Sequence, residues 1–145
     1  MQNPLSHLKG LGLLYPMLFF SFLESKPIIP DYPSLKLPDP VTSFGACKLG
    51  NYLYVYGGHV GDAHVYSKET HSKSFVRLNL KSKKKAWEKL PFNNPLQGFG
   101  MAAYKDKVFI SGGSQATNEE GEESNLSSLN KVSVFDIRKK RWSDL

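Results

Sequence analysis

The sequence predicts an all-β fold built from two copies of one four-stranded antiparallel unit, and three observations predict it. Residues 44–58 (FGACKLGNYLYVYGG) return 55 positions later as residues 99–113 (FGMAAYKDKVFISGG), without a gap. Trp87 and Trp142 keep the same interval of 55. Within each copy, short runs rich in Tyr, Val, Ile and Phe are bounded by Gly, Asn or Asp, the composition of strands and tight turns. Self-similarity at a fixed period of this size means stacked copies of one supersecondary unit.

The elements follow in order. Residues 52–56 and 107–111 read as strands, each preceded by a partner strand and a hairpin turn at Gly50-Asn51 or Lys105-Asp106. Both faces of these strands are largely apolar, which places them centrally in a sheet rather than at its edge. A double glycine and a polar loop come next, then a second hairpin. In the first copy it is Phe75 to Leu80, a lysine-rich turn, and Trp87 to Leu90; in the second it is Val132 to Ile137, a basic turn, and Trp142 to Leu145. Asn79 follows Gly58 by 21 residues and Asp136 follows Gly113 by 23, while Asn79 to Trp87 is 8 and Asp136 to Trp142 is 6. Loops change length and strand landmarks hold station, as expected where strands are the structural unit. Four antiparallel strands per copy describe a propeller blade.

A double glycine after an aromatic-rich strand, then an aliphatic strand, Asp or Asn, a turn and Trp, resembles the kelch repeat. The resemblance covers about residues 41–145, with blades at 41–91 and 92–145. It implies a kelch-type β-propeller portion of two four-stranded antiparallel blades, an incomplete ring. Leu78 and Phe135 stand where the family usually has Tyr, and Asn79 replaces its Asp. Gly57, Gly58, Gly112, Gly113, Trp87 and Trp142 are expected to serve blade packing, because strand glycines let a neighbouring backbone or ring approach closely. Propellers need about four to eight blades, and the chain stops at Leu145, the counterpart of Leu90. It is therefore expected to be the N-terminal portion of a longer propeller or a truncated sequence, or else to close a ring with other copies; either way further blades are needed.

The chain has 145 residues, a net charge of +6 and a pI near 9.4. That charge permits acidic partners without requiring them. A single cysteine excludes an intrachain disulfide and a cysteine-based zinc site; Cys47 aligns with Ala102 and reads as a small strand residue. Residues 1–25 form an apolar N-terminal segment, and the run GLGLLYPMLFFSFL resembles a secretory signal peptide with Ser25 as its cleavage point. Pro16 interrupts that run and no A-x-A site follows it; the other readings are an upstream extension or a helix packed on the propeller. Export to a periplasmic or extracellular location is expected with the signal reading and a cytoplasmic location without it. No transmembrane span is expected. Residues 26–40 form a proline-rich linker. Within it Leu35-Lys36-Leu37-Pro38 resembles Glu88-Lys89-Leu90-Pro91, with Ser34 at the Trp position, so residues 34–37 are expected to be a ring-closing outer strand.

Antiparallel strands send alternate connections to opposite ends of a blade. One end gathers loops 59–74, 91–98 and 114–131. It offers His59, Asp62, His64 and Tyr66 as binding-loop residues. Their spacing fits no standard zinc pattern, and the second copy has Ser114 and Thr117 instead, so loop imidazoles bonded to backbone are expected, with no metal and no cofactor. The tract Asn118 to Glu123 reads as a flexible acidic loop, and Asn125-Leu126-Ser127 fits a glycan acceptor pattern. The other end carries a basic rim of Lys83, Lys84, Lys85, Arg138, Lys139, Lys140 and Arg141. It reads first as solvated hairpin turns whose charges oppose aggregation; the other reading is a cationic rim for nucleic acid, anionic glycan or lipid headgroups, and no aromatic interleaving points to nucleic acid.

No catalytic motif is present: G-x-S-x-G, H-E-x-x-H, a phosphate-binding glycine loop and a dinucleotide fingerprint are all missing from the sequence. Some kelch-like propellers are copper oxidases of galactose or sugar epimerases. The copper oxidases need a Tyr crosslinked to Cys; Cys47 inside a strand does not supply one. The reading is a non-catalytic interaction module presenting loops to a protein or glycan ligand. The alternative is the N-terminal part of a carbohydrate-active enzyme whose catalytic residues lie outside this chain.

Overall fold

The structure, a computed structural model, describes residues 35–145. Two four-stranded antiparallel sheets dominate it. The first runs β1 (Gly45–Leu49), β2 (Tyr52–Tyr56), β3 (Phe75–Asn79), β4 (Trp87–Lys89), in that spatial order. The second joins β5 (Gly100–Tyr104) and β6 (Lys107–Ser111) to β9 (Val132–Asp136) and β10 (Arg141–Asp144) in the same order. A small hairpin, β7 (Ser114–Ala116) with β8 (Leu126–Ser128), is inserted between β6 and β9. The registers match: Gly45 faces Tyr56 as Gly100 faces Ser111, and the row Leu53, Leu78, Trp87 returns as Val108, Phe135, Trp142. These are two blades of the expected kind, and they do not close a ring. No helix among the described residues is long and apolar enough to cross a membrane.

Strand alternation sorts the side chains. Tyr54 and Tyr56 of β2 and Phe75 of β3 point toward the second blade, where Val108, Ile110 and Phe135 meet them in one core. Tyr56 is its centre. Its ring lies 5.1 Å from Phe92, 5.3 Å from Phe75, 5.3 Å from Trp142 and 5.7 Å from Phe99, and Phe75 meets Phe135 at 5.0 Å. Such pairs add about 0.5–1.5 kcal/mol each beyond area burial. The phenol is satisfied too: it donates to the Asn94 carbonyl (2.6 Å) and accepts from the Asn94 amide (2.9 Å). Burial pushes its pKa up to about 12 despite those bonds. On the opposite face of the first blade Val55, Val76 and Leu78 are also buried, which agrees with a central β2 apolar on both sides.

The first blade's outer hairpin is tied by Arg77 and Glu88, paired across β3 and β4 through two bonds of 2.8 and 2.9 Å. The guanidinium also lies 4.6 Å from the Tyr52 ring centre. Cys47 lies partly buried on the core side of β1, and desolvation pushes its thiol pKa up to about 11.

The double glycines carry crossing backbone. At Gly58 φ is +102°, and a Cβ would stand 2.6 Å from the Thr42 carbonyl oxygen; at Gly113 φ is +93°, and it would stand 2.9 Å from that of Gln97. Those carbonyls belong to Thr42 and Gln97, which bridge to His59 and Ser114 just after the glycines. A side chain fits neither the conformation nor the space.

Each tryptophan of the repeat donates its indole N–H to a carbonyl 51 residues earlier: Trp142 to Pro91 (2.7 Å) and Trp87 to Lys36 (2.8 Å). The period of 55 therefore reaches back to Lys36, the counterpart of Pro91. This differs by two residues from the register that the Leu-Lys-Leu-Pro likeness suggests, which matched Pro38 to Pro91. Lys36 and Leu37 belong to no strand. Ser34, the signal-like run and the rest of the linker lie outside the described residues.

Candidate functional site

At the loop end the strands continue past the glycines. His59 pairs through its backbone with both Thr42 and His71, and Ser114 pairs with both Gln97 and Ser128. The His59 side chain is buried. Its Nε2–H donates to the Val65 carbonyl at 2.8 Å, and its ring meets Tyr66 edge-on at 5.2 Å. His59 thus braces the loop from below. The loop itself presents Asp62, His64 and Val65 outward, with His64 at φ +65° and the Asp62 carbonyl accepting from the Val65 amide. Between the loop and the second blade's entry lies a cleft of about 140 Å³, lined by Thr42, Ser43, His59, Ala63, His64, Tyr66 and Gln97. Three of the four binding-loop residues therefore share one cleft, and Asp62 stands outside it.

His71, buried and bridged to His59, donates Nδ1–H to the Ser67 carbonyl at 3.0 Å. Its Nε2, with Ser67 Oγ and Ser72 Oγ, has no protein partner. Among the described residues no three His, Cys, Asp or Glu side chains converge closely enough to hold a metal ion.

The acidic tract is not a free loop. Asn118 is 7% exposed and fully engaged: Nδ2 donates to the Tyr66 carbonyl (2.8 Å) and the Glu119 carbonyl, Oδ1 accepts the Asn125 amide (2.9 Å), and its own carbonyl accepts the Lys68 amide. Ser124 Oγ reaches the same Tyr66 carbonyl at 3.3 Å, and Lys68 pairs with Glu119. The loop of one blade is thereby locked to the hairpin of the next. The sequence shows Asn118 only as the start of a flexible acidic loop, because it stands beside glutamates that dominate the composition.

The basic rim sits at the other end. The Leu80 amide donates to the Asn51 carbonyl and the Ile137 amide to the Asp106 carbonyl, so each basic turn lies beside its blade's first hairpin tip. Lys83, Lys84, Arg138, Lys139, Lys140 and Arg141 are exposed, and Lys85 is half-buried with its ammonium on the Leu80 carbonyl.

Residues 40–91 match the kelch motif. This stretch is a kelch repeat. The fold is similar to that of the solved structure of YjhT, with a TM-score of 0.58 at 18% identity, over 77% of this chain and 28% of that one. The chain thus spans a little over a quarter of the length of that solved chain. No curated protein matches the sequence. The kelch match takes in the first blade through Trp87, and the second blade repeats that blade's geometry with Trp142. The cleft combines backbone polar groups, a few side-chain donors and acceptors, and one phenol ring. That set suits hydrogen bonding to a polar ligand through Ser43, His64, Tyr66 and Gln97.

Proposed function

We propose that this kelch-repeat module binds a protein or glycan ligand through its loop end, without catalysis. One observation carries the reading: the Asn118 carboxamide fixes the two blades' loops against each other, so that the cleft beside His64, Tyr66 and Gln97 is a preformed surface. Preformed loops bind with less ordering cost than mobile ones. Backbone amide chemical shifts of the isotope-labelled chain, titrated with a panel of neutral mono- and disaccharides and with loop-length peptides, test it. The expected result is saturable shifts confined to residues 42–43, 62–66 and 97, lost in His64→Ala/Tyr66→Ala. Shifts confined to the opposite end, or none with any member of the panel, would count against the reading.

A further inference from the structure

Charge is segregated along the strand direction. The hairpin-tip end, over residues 48–51, 80–86, 104–107 and 136–141, holds eleven lysines and arginines against two carboxylates. The loop end, over 59–74, 91–98 and 114–131, holds six carboxylates against three lysines. Both carboxylates at the basic end are already engaged. Asp106 takes Arg138 at 3.1 Å, and Asp136 takes Lys107 at 3.7 Å and accepts the Lys139 amide at 2.8 Å. Lys83, Lys84, Lys139 and Arg141 are exposed and form no ion pair among the described residues.

The tips are held in shape. Asn79 Oδ1 accepts the Lys81 amide as Asp136 Oδ1 accepts that of Lys139, the side-chain-to-backbone bond that sets a turn. These cations sit on or beside the turns between strands, and Lys48, Lys81, Lys83, Lys84, Lys105 and Lys139 are exposed there. Most are lysines, which act as point charges without the planar fork that fixes a single sulfate or phosphate. Tyr104 stands at the same end, 65% exposed, with the Lys105 ammonium 5.3 Å from its ring centre. An exposed tyrosine among lysines is the side-chain chemistry of the headgroup layer, where an apolar ring and a polar tip are both satisfied.

We infer that the hairpin-tip end docks on an anionic phospholipid bilayer. A diffuse plane of negative charge matches exposed cations spread over four separate turns better than a linear polyanion does, since a linear chain is best followed by a continuous cationic track with stacking aromatics. The acidic loop end is repelled by the same surface. The molecule is therefore oriented with its loops facing away from the membrane, open to a ligand.

The test is co-sedimentation of the full 145-residue chain with vesicles of phosphatidylcholine alone and of phosphatidylcholine with about 30% phosphatidylserine, at about 50 and about 300 mM salt. Phosphatidylcholine alone reports any partition of the apolar N-terminal run, which carries no charge preference. The expected result is about tenfold stronger partition into the anionic vesicles at low salt, falling about tenfold at high salt. Lys83→Glu/Lys84→Glu/Lys139→Glu/Lys140→Glu removes that difference, whereas Glu120→Lys/Glu123→Lys at the loop end does not reduce it. Far-UV circular dichroism and tryptophan emission matching the parent chain establish that both variants are folded. Equal binding to both vesicle types, or an unchanged difference in the folded rim variant, would overturn the inference. So would retention on a sulfated polysaccharide column by a chain that ignores anionic vesicles.

Discussion

The glycine pairs show how a single atom decides the packing of a blade. Gly58→Ala or Gly113→Ala places a Cβ within 3 Å of a backbone carbonyl at a φ that side chains avoid. Each is expected to destabilise the fold by about 2–4 kcal/mol, read as a lower denaturant midpoint at unchanged slope. Trp142→Phe keeps most of the ring and loses the indole bond to Pro91, an expected cost of about 1–2 kcal/mol. Cys47, its thiol held protonated by burial, is expected to alkylate slowly in the native chain at neutral pH and quickly in denaturant. At this scale the sequence was partly legible. The glycines and tryptophans declared themselves by repetition. A backbone partner was expected for the loop imidazoles and His59 has one; that the partner is Val65 was not legible, because a carbonyl leaves no mark on residue identity.

Among the elements, the strands of both blades were readable from their apolar runs and turn residues, and their register follows. The β7–β8 hairpin was not. Its second strand is exposed throughout and made of Leu126-Ser127-Ser128, so burial offers no alternating pattern, and what holds the hairpin in place is Asn118. Asn118→Ala strands the Asn125 amide and leaves the Tyr66 carbonyl only its 3.3 Å bond from Ser124. It is expected to cost about 1–3 kcal/mol of local stability, seen as faster hydrogen exchange in residues 66–70 and 117–125 together, while β2, β6 and β9 keep their protection. Lys68→Ala removes only an exposed ion pair and is expected to leave both segments protected. The outer hairpin adds a pH term. Bonds from Arg77 hold the Glu88 carboxyl below its ordinary pKa. A carboxylate depressed in the folded state stabilises above its unfolded pKa, and that contribution fades as pH falls through the lower folded value. Acid unfolding curves of Glu88→Gln are therefore expected to be flatter than those of the parent below the ordinary glutamate range.

For the whole molecule, the period of 55 residues is what organises everything else. It was visible in the sequence from residue 44 onward, and the Trp87 bond to Lys36 carries it eight residues further back. That extension escaped a side-chain comparison because the acceptor is a carbonyl, and any residue supplies one. The same stacking brings turns of like charge to one end and the acidic hairpin to the other, so the separation of a cationic end from an acidic loop end is a consequence of blade repetition. The central claim is that the two sheets pack face to face through one aromatic core, with Trp142 of the second blade seated on Tyr56 and Phe75 of the first at 5.3 and 5.4 Å. Nuclear Overhauser contacts from the Trp142 indole test it most directly. The expected result is cross-peaks from that indole to the Tyr56 and Phe75 rings, with its N–H slow to exchange. Cross-peaks within each sheet but none between the Trp142 indole and the first blade would contradict it.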